Sequence, residues 1–289
     1  MGLRKLLRRL PVERFRNPPP VVSVLRLNGV IAARLPRGLS LATQAAAIER
    51  AFAMPDLAAV ALAINSPGGS PVQSSLIYRR IRQLAAEKKV PVFAFAEDVA
   101  ASGGYWLALA GDEIYAEDTS IVGSIGVVSA SFGFQDLLRR LGVERRVYTA
   151  GENKSLLDPF RAEDPRDVER LTAVQKDIHE SFKDIVRERR GAKLTAPEER
   201  LFNGDIFTGR SAVGVGLVDA VGDLRGTMRA RFGERVRLRL IDTERKRRFL
   251  PRLPFLSSAR APSPLAIADM VGDLAAAVEE RLTWSRFGL

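Results

Sequence analysis

The chain of 289 residues contains no cysteine and a single histidine, His179. The absence of cysteine excludes disulfide bonds, thiolate metal ligands and a cysteine nucleophile, and it fits a reducing compartment. One histidine leaves one candidate base for a serine–histidine–aspartate triad, and His179 stands in a charged, helix-patterned segment where a structural role is expected. The chain also lacks a P-loop and a dinucleotide-binding glycine motif, and its adjacent acidic pairs have no cysteine or histidine nearby. We therefore expect neither a metal nor a cofactor.

Long apolar runs are absent as well, and the sequence predicts no transmembrane helix, which needs about 18 or more apolar residues. The N-terminus is basic, and Pro11 interrupts it before an apolar core develops, which is not the pattern of a secretory signal. These features predict a cytoplasmic protein, with peripheral contact at the inner face of the membrane as an open alternative.

The net charge of the chain is +11, which favours anionic partners such as nucleic acid or an acidic membrane surface. Solubility and a general preference for arginine explain such a surplus equally well, and both explanations stay open. The chain has two tryptophans and four tyrosines and shows no nucleic-acid recognition motif, so nucleic acid is not predicted as a partner.

Apolar runs typical of buried strands alternate with helical patterns in the first third of the chain. Strands are predicted at 21–27, 57–64 and 90–96, with helices between them at 41–52 and 72–87. Strand, helix and strand in this order and at this spacing predict an α/β fold with parallel strands.

Shorter elements are predicted after residue 100. The predicted strands are at 113–116, 126–130, 145–149 and 236–241, and the predicted helices are at 105–110, 135–141, 166–189, 198–202, 210–216 and 224–232. The long helix carries an apolar stripe of Leu171, Val174, Ile178, Phe182 and Ile185.

Three regions follow from composition. Residues 1–20 form a basic arm, residues 21–242 form a compact domain, and residues 243–289 form a basic and apolar linker followed by a C-terminal helix at 267–282. Prolines interrupt the linker, which excludes a continuous helix there.

Three glycine-rich turns follow apolar segments, at 68–69, 103–104 and 123–126. In parallel α/β folds such turns lie at the carboxyl ends of strands, where active sites form. Glycine pairs let backbone N–H groups approach a substrate closely, and acyl transfer needs two such donors for the oxyanion. We select the N–H groups of Gly69 and Gly103 as candidates, although a single turn of this kind is ordinary loop chemistry.

Ser102 and Lys154 are the candidate nucleophile and base. Ser102 stands in the second turn, and Lys154 follows in the segment 151–154. Because the chain offers no cysteine and one histidine, lysine is the most plausible activator of a serine. Ser102 also fits a helix N-cap, and Lys154 also fits a solvated surface lysine. To act as a base, the lysine must lose its charge, which requires desolvation.

Three motifs resemble, in their order, those of the signal peptide peptidase A family of serine peptidases, in the Clp/crotonase superfamily. They are Asn-Ser-Pro-Gly-Gly at 65–69, Ala-Ala-Ser-Gly-Gly-Tyr at 100–105 and Thr-Ser-Ile-Val-Gly-Ser-Ile-Gly-Val at 119–127. The resemblance runs from about residue 21 to about residue 240, and the ordered set is more specific than the first turn alone, which the wider superfamily shares. It implies a Clp/crotonase-like α/β fold of stacked ββα units with parallel sheets.

The resemblance also implies roles for single residues. Ser102 would be the nucleophile, Lys154 the general base, and Ser124 the residue that holds the lysine ammonium group. Gly69 and Gly103 would donate to the oxyanion, in agreement with the reading of the turns alone. The chain has one copy of the fold with both dyad residues in it, which favours a dyad within one subunit, and it departs from many family members in carrying no predicted membrane anchor.

The expected activity is that of a serine endopeptidase acting on short apolar peptides such as signal-peptide remnants. The resemblance further implies a homo-oligomer, a ring or dome, and the basic termini suggest contact with anionic lipid or with other subunits. Two alternatives stay open: a non-proteolytic scaffold of the same fold, and a crotonase-type acyl-CoA enzyme with Glu97 or Asp98 as its acid or base.

Overall fold

A computed structural model describes residues 18–33, 35, 38–242, 278 and 281–288. The described residues leave out most of the predicted basic arm. They also leave out residues 243–277, which contain the predicted linker and most of the predicted C-terminal helix. Within the described part of the C-terminus, residues 281–285 are helical.

The described chain alternates strands and helices. The strands are β1 (Val21–Asn28), β2 (Leu57–Ser66), β3 (Val92–Ala101), β4 (Glu113–Ala116), β5 (Ile121–Gly123), β6 (Ile206–Thr208), β7 (Ala220–Val221) and β8 (Arg237–Leu240). The α-helices are α1 (Leu41–Phe52), α2 (Pro71–Lys88), α3 (Gly103–Ala108), α4 (Gln135–Arg140), α5 (Pro165–Arg190), α6 (Glu198–Leu201), α7 (Gly209–Gly214) and α8 (Leu224–Phe232).

The strands form one sheet in the order β6-β5-β3-β2-β1-β8, with β4 paired to β3 and β7 paired to β4. Every pair is parallel except β5 with β6. The predicted α/β class with parallel strands is therefore confirmed.

Strand β3 is the point at which the sheet branches. Its first half, Phe93 to Ala96, pairs with β4, and its last three residues pair with β5, where Ala101 lies opposite Gly123. On its other side β2 ends at Ser66, which pairs with Ala100. Three strands thus end at one edge, and the three glycine-rich turns that follow them meet there.

The sheet buries both of its faces. On one face a large apolar core lies between the strands and helices α1, α2, α3 and α5. On the other face a smaller core of strand residues packs against α8 through Met228. The central strand β2 is buried along both faces from Val60 to Ala63, which explains its continuous apolar sequence.

The C-terminal end of α5 is held by buried charge. Arg190, which is 3% exposed, pairs with Asp219 at 2.7 Å and donates to the carbonyl of Gly216 at 2.9 Å. Asp219 also accepts from the N–H of Ile114, the second residue of β4. Although burial opposes ionisation of this carboxyl, hydrogen bonds from Arg190, Lys193 and Ile114 hold the pKa of Asp219 below its usual value.

Two predicted strands are wrong. Residues 126–130 and 145–149 form no strand, because no neighbouring strand in the described chain lies beside them and residues 145–149 are exposed. Strands β5, β6 and β7 were not predicted, since two or three residues carry no readable alternation. No described helix is both long and apolar enough to span a membrane.

Candidate active site

Ser102 lies between the end of β3 and the first residue of α3. Its backbone has φ 52° and ψ −122°, a conformation that residues other than glycine rarely adopt. Its N–H donates to the carbonyl of Gly123 at 2.8 Å, and its side chain makes no capping hydrogen bond to the helix. The helix-cap interpretation of Ser102 is thus not supported, and the hydroxyl is left available for chemistry.

The first glycine-rich turn packs against Ser102. A Cβ atom placed on Gly68 would lie 2.8 Å from the Cβ of Ser102 and 2.9 Å from the nitrogen of Gly103, so only glycine fits. Neighbouring groups hold the turn: Ile31 donates to the Gly68 carbonyl at 2.8 Å and Ser70 donates to the Ile31 carbonyl at 2.7 Å.

Two backbone donors remain free beside Ser102. Among the described residues, neither the N–H of Gly69 nor that of Gly103 has a hydrogen-bond partner. Gly103 is the first residue of α3, where helical N–H groups are unsatisfied and the helix dipole favours negative charge. Free donors at these two turns are what an oxyanion requires.

Ser124 lies at the same edge because β5 is parallel to β3. Like Ser102 it has φ 52°, and its N–H donates to the carbonyl of Asp205 at 2.7 Å. The next residue, Ile125, accepts from Nε2 of His179 through its carbonyl at 3.1 Å. His179 therefore ties helix α5 to this turn, in the structural role expected for it.

Tyr105, two residues after Gly103, anchors the nucleophile turn from inside the core. It is fully buried, and its hydroxyl donates to the carbonyl of Leu217 at 2.7 Å. Burial raises the pKa of the Tyr105 hydroxyl, so the phenol stays protonated and remains a donor. Its role is to hold α3 in place.

Ser102, Ser124 and Gly69 line one cavity of 760 Å³. Helix α5 supplies Leu171, Val174 and Ile178 to its wall, and Thr283, Arg286 and Phe287 line another part of it. The sequence pattern placed those three apolar residues on a packing stripe with Phe182. The stripe divides in the structure, with its first half lining the cavity and Phe182 buried against Trp106 at 4.7 Å between ring centres. The helical spacing of apolar residues is the same in both halves of the stripe, so the sequence could not show which half lines the cavity.

The single chain does not bring Lys154 to this cavity. Its side chain is exposed and is not among the described residues that line the cavity. It belongs to a segment, residues 128–160, that we call the arm, in which almost every residue is exposed and α4 buries none of its side chains. The expectation of a dyad within one subunit has no support in this geometry.

The arm carries many large apolar side chains on its surface. They are Val128, Phe132, Phe134, Leu137, Leu141, Val143, Val147, Tyr148, Leu156 and Phe160. Rings of Phe132, Phe134 and Phe160 contact one another, and Arg145 lies 4.8 Å from the centre of the Phe160 ring. The arm is therefore an ordered unit with an unburied apolar surface, which is typical of an interaction surface.

The two carboxylates of the crotonase alternative lie elsewhere. Glu97 pairs with Arg26 at 3.2 Å, and Asp98 accepts from the side chain of Asn65 at 2.6 Å. Both line a second cavity of 860 Å³ that shares no described lining residue with the cavity of Ser102. Neither is positioned for acid or base chemistry beside Ser102.

In the described part of the chain, no cluster of three or more acidic or histidine side chains could hold a metal ion.

Comparison with known proteins places the chain among peptidases. The family model described as "Peptidase family S49" matches residues 84–232, which include Ser102, Ser124 and Lys154. The chloroplastic "Serine protease SPPA" of Arabidopsis thaliana is 36% identical over 57% of this chain and 24% of its own length. "Protease 4" of Salmonella typhi is 29% identical over 70% of this chain and 32% of its own length.

A more similar relative bears a different name. A protein of Brucella abortus named "Na(+)/H(+) antiporter NhaA" is 51% identical over 98% of this chain, and the chain spans 39% of the length of that protein. Among solved structures, the 1510-N membrane-bound stomatin-specific protease, in a mutant form, superposes with a TM-score of 0.47 at 17% identity, over 78% of this chain and 99% of the other.

The family match covers more than half of the chain and contains the serine that the fold holds at the edge of its sheet. The three motifs, two free amide donors and the match over 84–232 agree with one another, and the chain belongs to peptidase family S49.

Proposed function

We propose that this protein is a serine peptidase that hydrolyses short apolar peptides by means of a Ser102–Lys154 dyad. The observation that carries the proposal is the surrounding of Ser102. Its hydroxyl makes no capping bond, and Ser102 lines a cavity of 760 Å³. Among the described residues, the N–H groups of Gly69 and Gly103 have no hydrogen-bond partner. Family membership and the protease-named relatives support a peptidase independently.

The proposed reaction follows from these groups. Neutral Lys154 takes the hydroxyl proton of Ser102 as Oγ bonds to the substrate carbonyl carbon, and Gly69 and Gly103 donate to the oxyanion. Collapse breaks the C–N bond, and Lys154 gives the proton to the departing amine. Water then attacks the acyl ester as Lys154 accepts its proton, and Lys154 returns that proton to Oγ of Ser102 as the C–O bond breaks and the acid leaves. Ser124 would accept from the lysine when it is charged.

The base must come from another copy of the chain in this proposal. Desolvation favours the neutral form of a lysine, and Lys154 is exposed in the single chain. The arm that carries it has an apolar surface, whose burial against a second copy would remove both from water. We infer that the arm of one subunit delivers Lys154 to the cavity of its neighbour, within a closed homo-oligomer.

The substrate class follows from the cavity wall. Leu171, Val174, Ile178 and Val127 are apolar, and the cavity has room for a few residues of extended chain. Short apolar peptides, such as signal-peptide remnants, fit this lining better than folded substrates.

Two other functions are less well supported. A scaffold without turnover has no need of a strained serine beside two amide donors. A crotonase-type enzyme would need its acid or base beside those donors, whereas Glu97 and Asp98 line a separate cavity. The antiporter name belongs to a protein of which the chain matches 39%, whereas the peptidase family is matched by the chain itself.

The test is hydrolysis of fluorogenic apolar peptides by the wild type, Ser102→Ala, Lys154→Ala and, as a matched control, Lys176→Ala, which removes another exposed lysine. We expect turnover in the wild type and control, and a loss of at least about a thousandfold in the other two. Size-exclusion chromatography would verify that assembly is intact. Turnover that survives both Ser102→Ala and Lys154→Ala contradicts the dyad, and no wild-type turnover on the whole panel favours the scaffold.

A further inference from the structure

The cavity of Ser102 contains one charged side chain. Arg286 lines it, together with Thr283 and Phe287 from the C-terminal segment, and every other described lining residue is uncharged. The remaining wall is apolar or carries hydroxyl and amide groups, among them Gln175 and Asn203. A single cation in a neutral cavity gives the cavity a preference of its own, because nothing within the described wall cancels it.

Across the described ranges Arg286 forms no ion pair and no hydrogen bond, whereas the arginines near the end of α5, Arg187, Arg189 and Arg190, are each held by a carboxylate. A guanidinium presents a planar fork of donors that matches the two oxygens of a carboxylate.

We propose that Arg286 is a specificity-determining residue that binds a carboxylate of the substrate, and that the preferred carboxylate is the C-terminus of a short peptide. The inference rests on the proposed peptidase function and names the substrate class of the same site.

The shared cavity favours a carboxylate near the scissile bond over a distant one. Ser102 and Arg286 line the same cavity of 760 Å³, and each extended residue spans about 3.3 Å, so in this proposal a few residues separate the scissile bond from the carboxylate. The substrates would thus be fragments with a new C-terminus, which an earlier endoproteolytic cleavage must supply. An aspartate or glutamate side chain near the scissile bond carries the same group and has to be distinguished.

The experiment uses one apolar fluorogenic peptide in three forms with the full-length protein. The first form has a free C-terminal carboxylate, the second a C-terminal amide, and the third an amide with glutamate as the last residue. The variants are Arg286→Gln, the conservative Arg286→Lys, and the matched control Arg225→Gln, an exposed arginine of the other cavity.

For the wild type we expect a KM about fivefold lower for the free carboxylate than for the amide, the scale of a solvent-exposed ion pair. The glutamate form should lie between them. Arg286→Gln should remove the difference in KM between the two forms, Arg286→Lys should keep part of it, and Arg225→Gln should keep all of it. Equal KM values in the wild type, or an unchanged preference in Arg286→Gln, would overturn the inference. A glutamate form preferred over the free carboxylate would overturn the terminal assignment.

Binding separates this inference from the proposed function. Fluorescence anisotropy of the same labelled peptides with Ser102→Ala, and with Ser102→Ala combined with Arg286→Gln, requires no turnover. A carboxylate preference in binding without wild-type hydrolysis means that the peptidase proposal fails and the Arg286 site stands. Hydrolysis with no preference in binding means the reverse.

Discussion

At the scale of single residues, Ser102 has a strained backbone conformation. A residue with a Cβ at φ 52° and ψ −122° stores about 1–3 kcal/mol of strain, which the surrounding structure has to offset. The hydrogen bond to Gly123 and the packing of Gly68 hold it there. In this conformation the hydroxyl of Ser102 makes no capping hydrogen bond to the helix.

This strain predicts that the nucleophile is costly for stability. Replacement of Ser102 by glycine should relieve it, whereas replacement by alanine should not, because alanine retains the Cβ. We expect Ser102→Gly to unfold at a higher urea concentration than Ser102→Ala, by about 1 kcal/mol in the free energy of unfolding, with both variants inactive. A glycine variant that is no more stable than the alanine variant would show that Ser102 is not strained.

At the scale of elements, helix α5 has two tasks in one amphipathic stripe. Phe182 is 2% exposed and stacks on Trp106, while Val174 is 55% exposed and faces the cavity. The same kind of truncation should therefore have different consequences along the helix.

We expect Phe182→Ala to lower the free energy of unfolding by about 3–5 kcal/mol, because it empties a packed core site. Val174→Ala should change stability by less than about 1 kcal/mol and instead raise the KM for apolar peptides. Urea unfolding and steady-state kinetics on both variants measure the contrast. Equal stability losses would mean that the stripe is a single packing surface.

The salt bridge at the end of α5 predicts a dependence of stability on pH. Because the pKa of Asp219 is lowered in the folded protein, its stabilising contribution is present above the unfolded value of 3.8 and is lost as the pH falls through the lower folded value. Asp219→Asn leaves Arg190 buried without its partner and should cost about 3 kcal/mol at pH 7.

The difference in stability between wild type and Asp219→Asn should therefore shrink as the pH is lowered below about 4. Urea unfolding of both proteins from pH 7 to pH 2 measures it. A difference that stays constant over this range would exclude a lowered pKa for Asp219 in the folded state.

Sequence patterns predicted the elements that are long and buried. For strand β2 and helices α1 and α8, the predicted ends lie within two residues of the observed ends. Continuous apolar runs or helical periodicity extend over the whole length of these elements. The wrong strand at 145–149 lies in the arm, where β-favouring residues meet no partner strand within the described chain. Local pattern carries no information about whether such a partner exists.

The same limit applies to the site. The turns of Gly69, Gly103 and Ser124 were predicted to meet because parallel strands end at one edge, and the register of β3 with β5 accounts for their meeting. The position of Lys154 depends on where an exposed arm packs, which one chain does not determine. Arg286 was not selected at all, since an arginine near a chain end gives no signal without the fold.

At the scale of the whole molecule, the proposed dyad requires the arm of a second copy of the chain. Phe132 and Tyr148 are 77% and 90% exposed, and apolar side chains of this size are normally covered. We therefore expect an oligomer, whose contacts include the arm.

The measurement that tests the account most directly is complementation between two inactive variants. Ser102→Ala and Lys154→Ala are produced together, each with a different affinity tag, and mixed oligomers are purified on both tags. If Lys154 of one subunit serves Ser102 of another, sites that combine the two intact residues form by chance, and about a quarter of wild-type activity should return in a random mixture. Mixed oligomers that assemble and remain inactive would contradict a dyad shared between subunits.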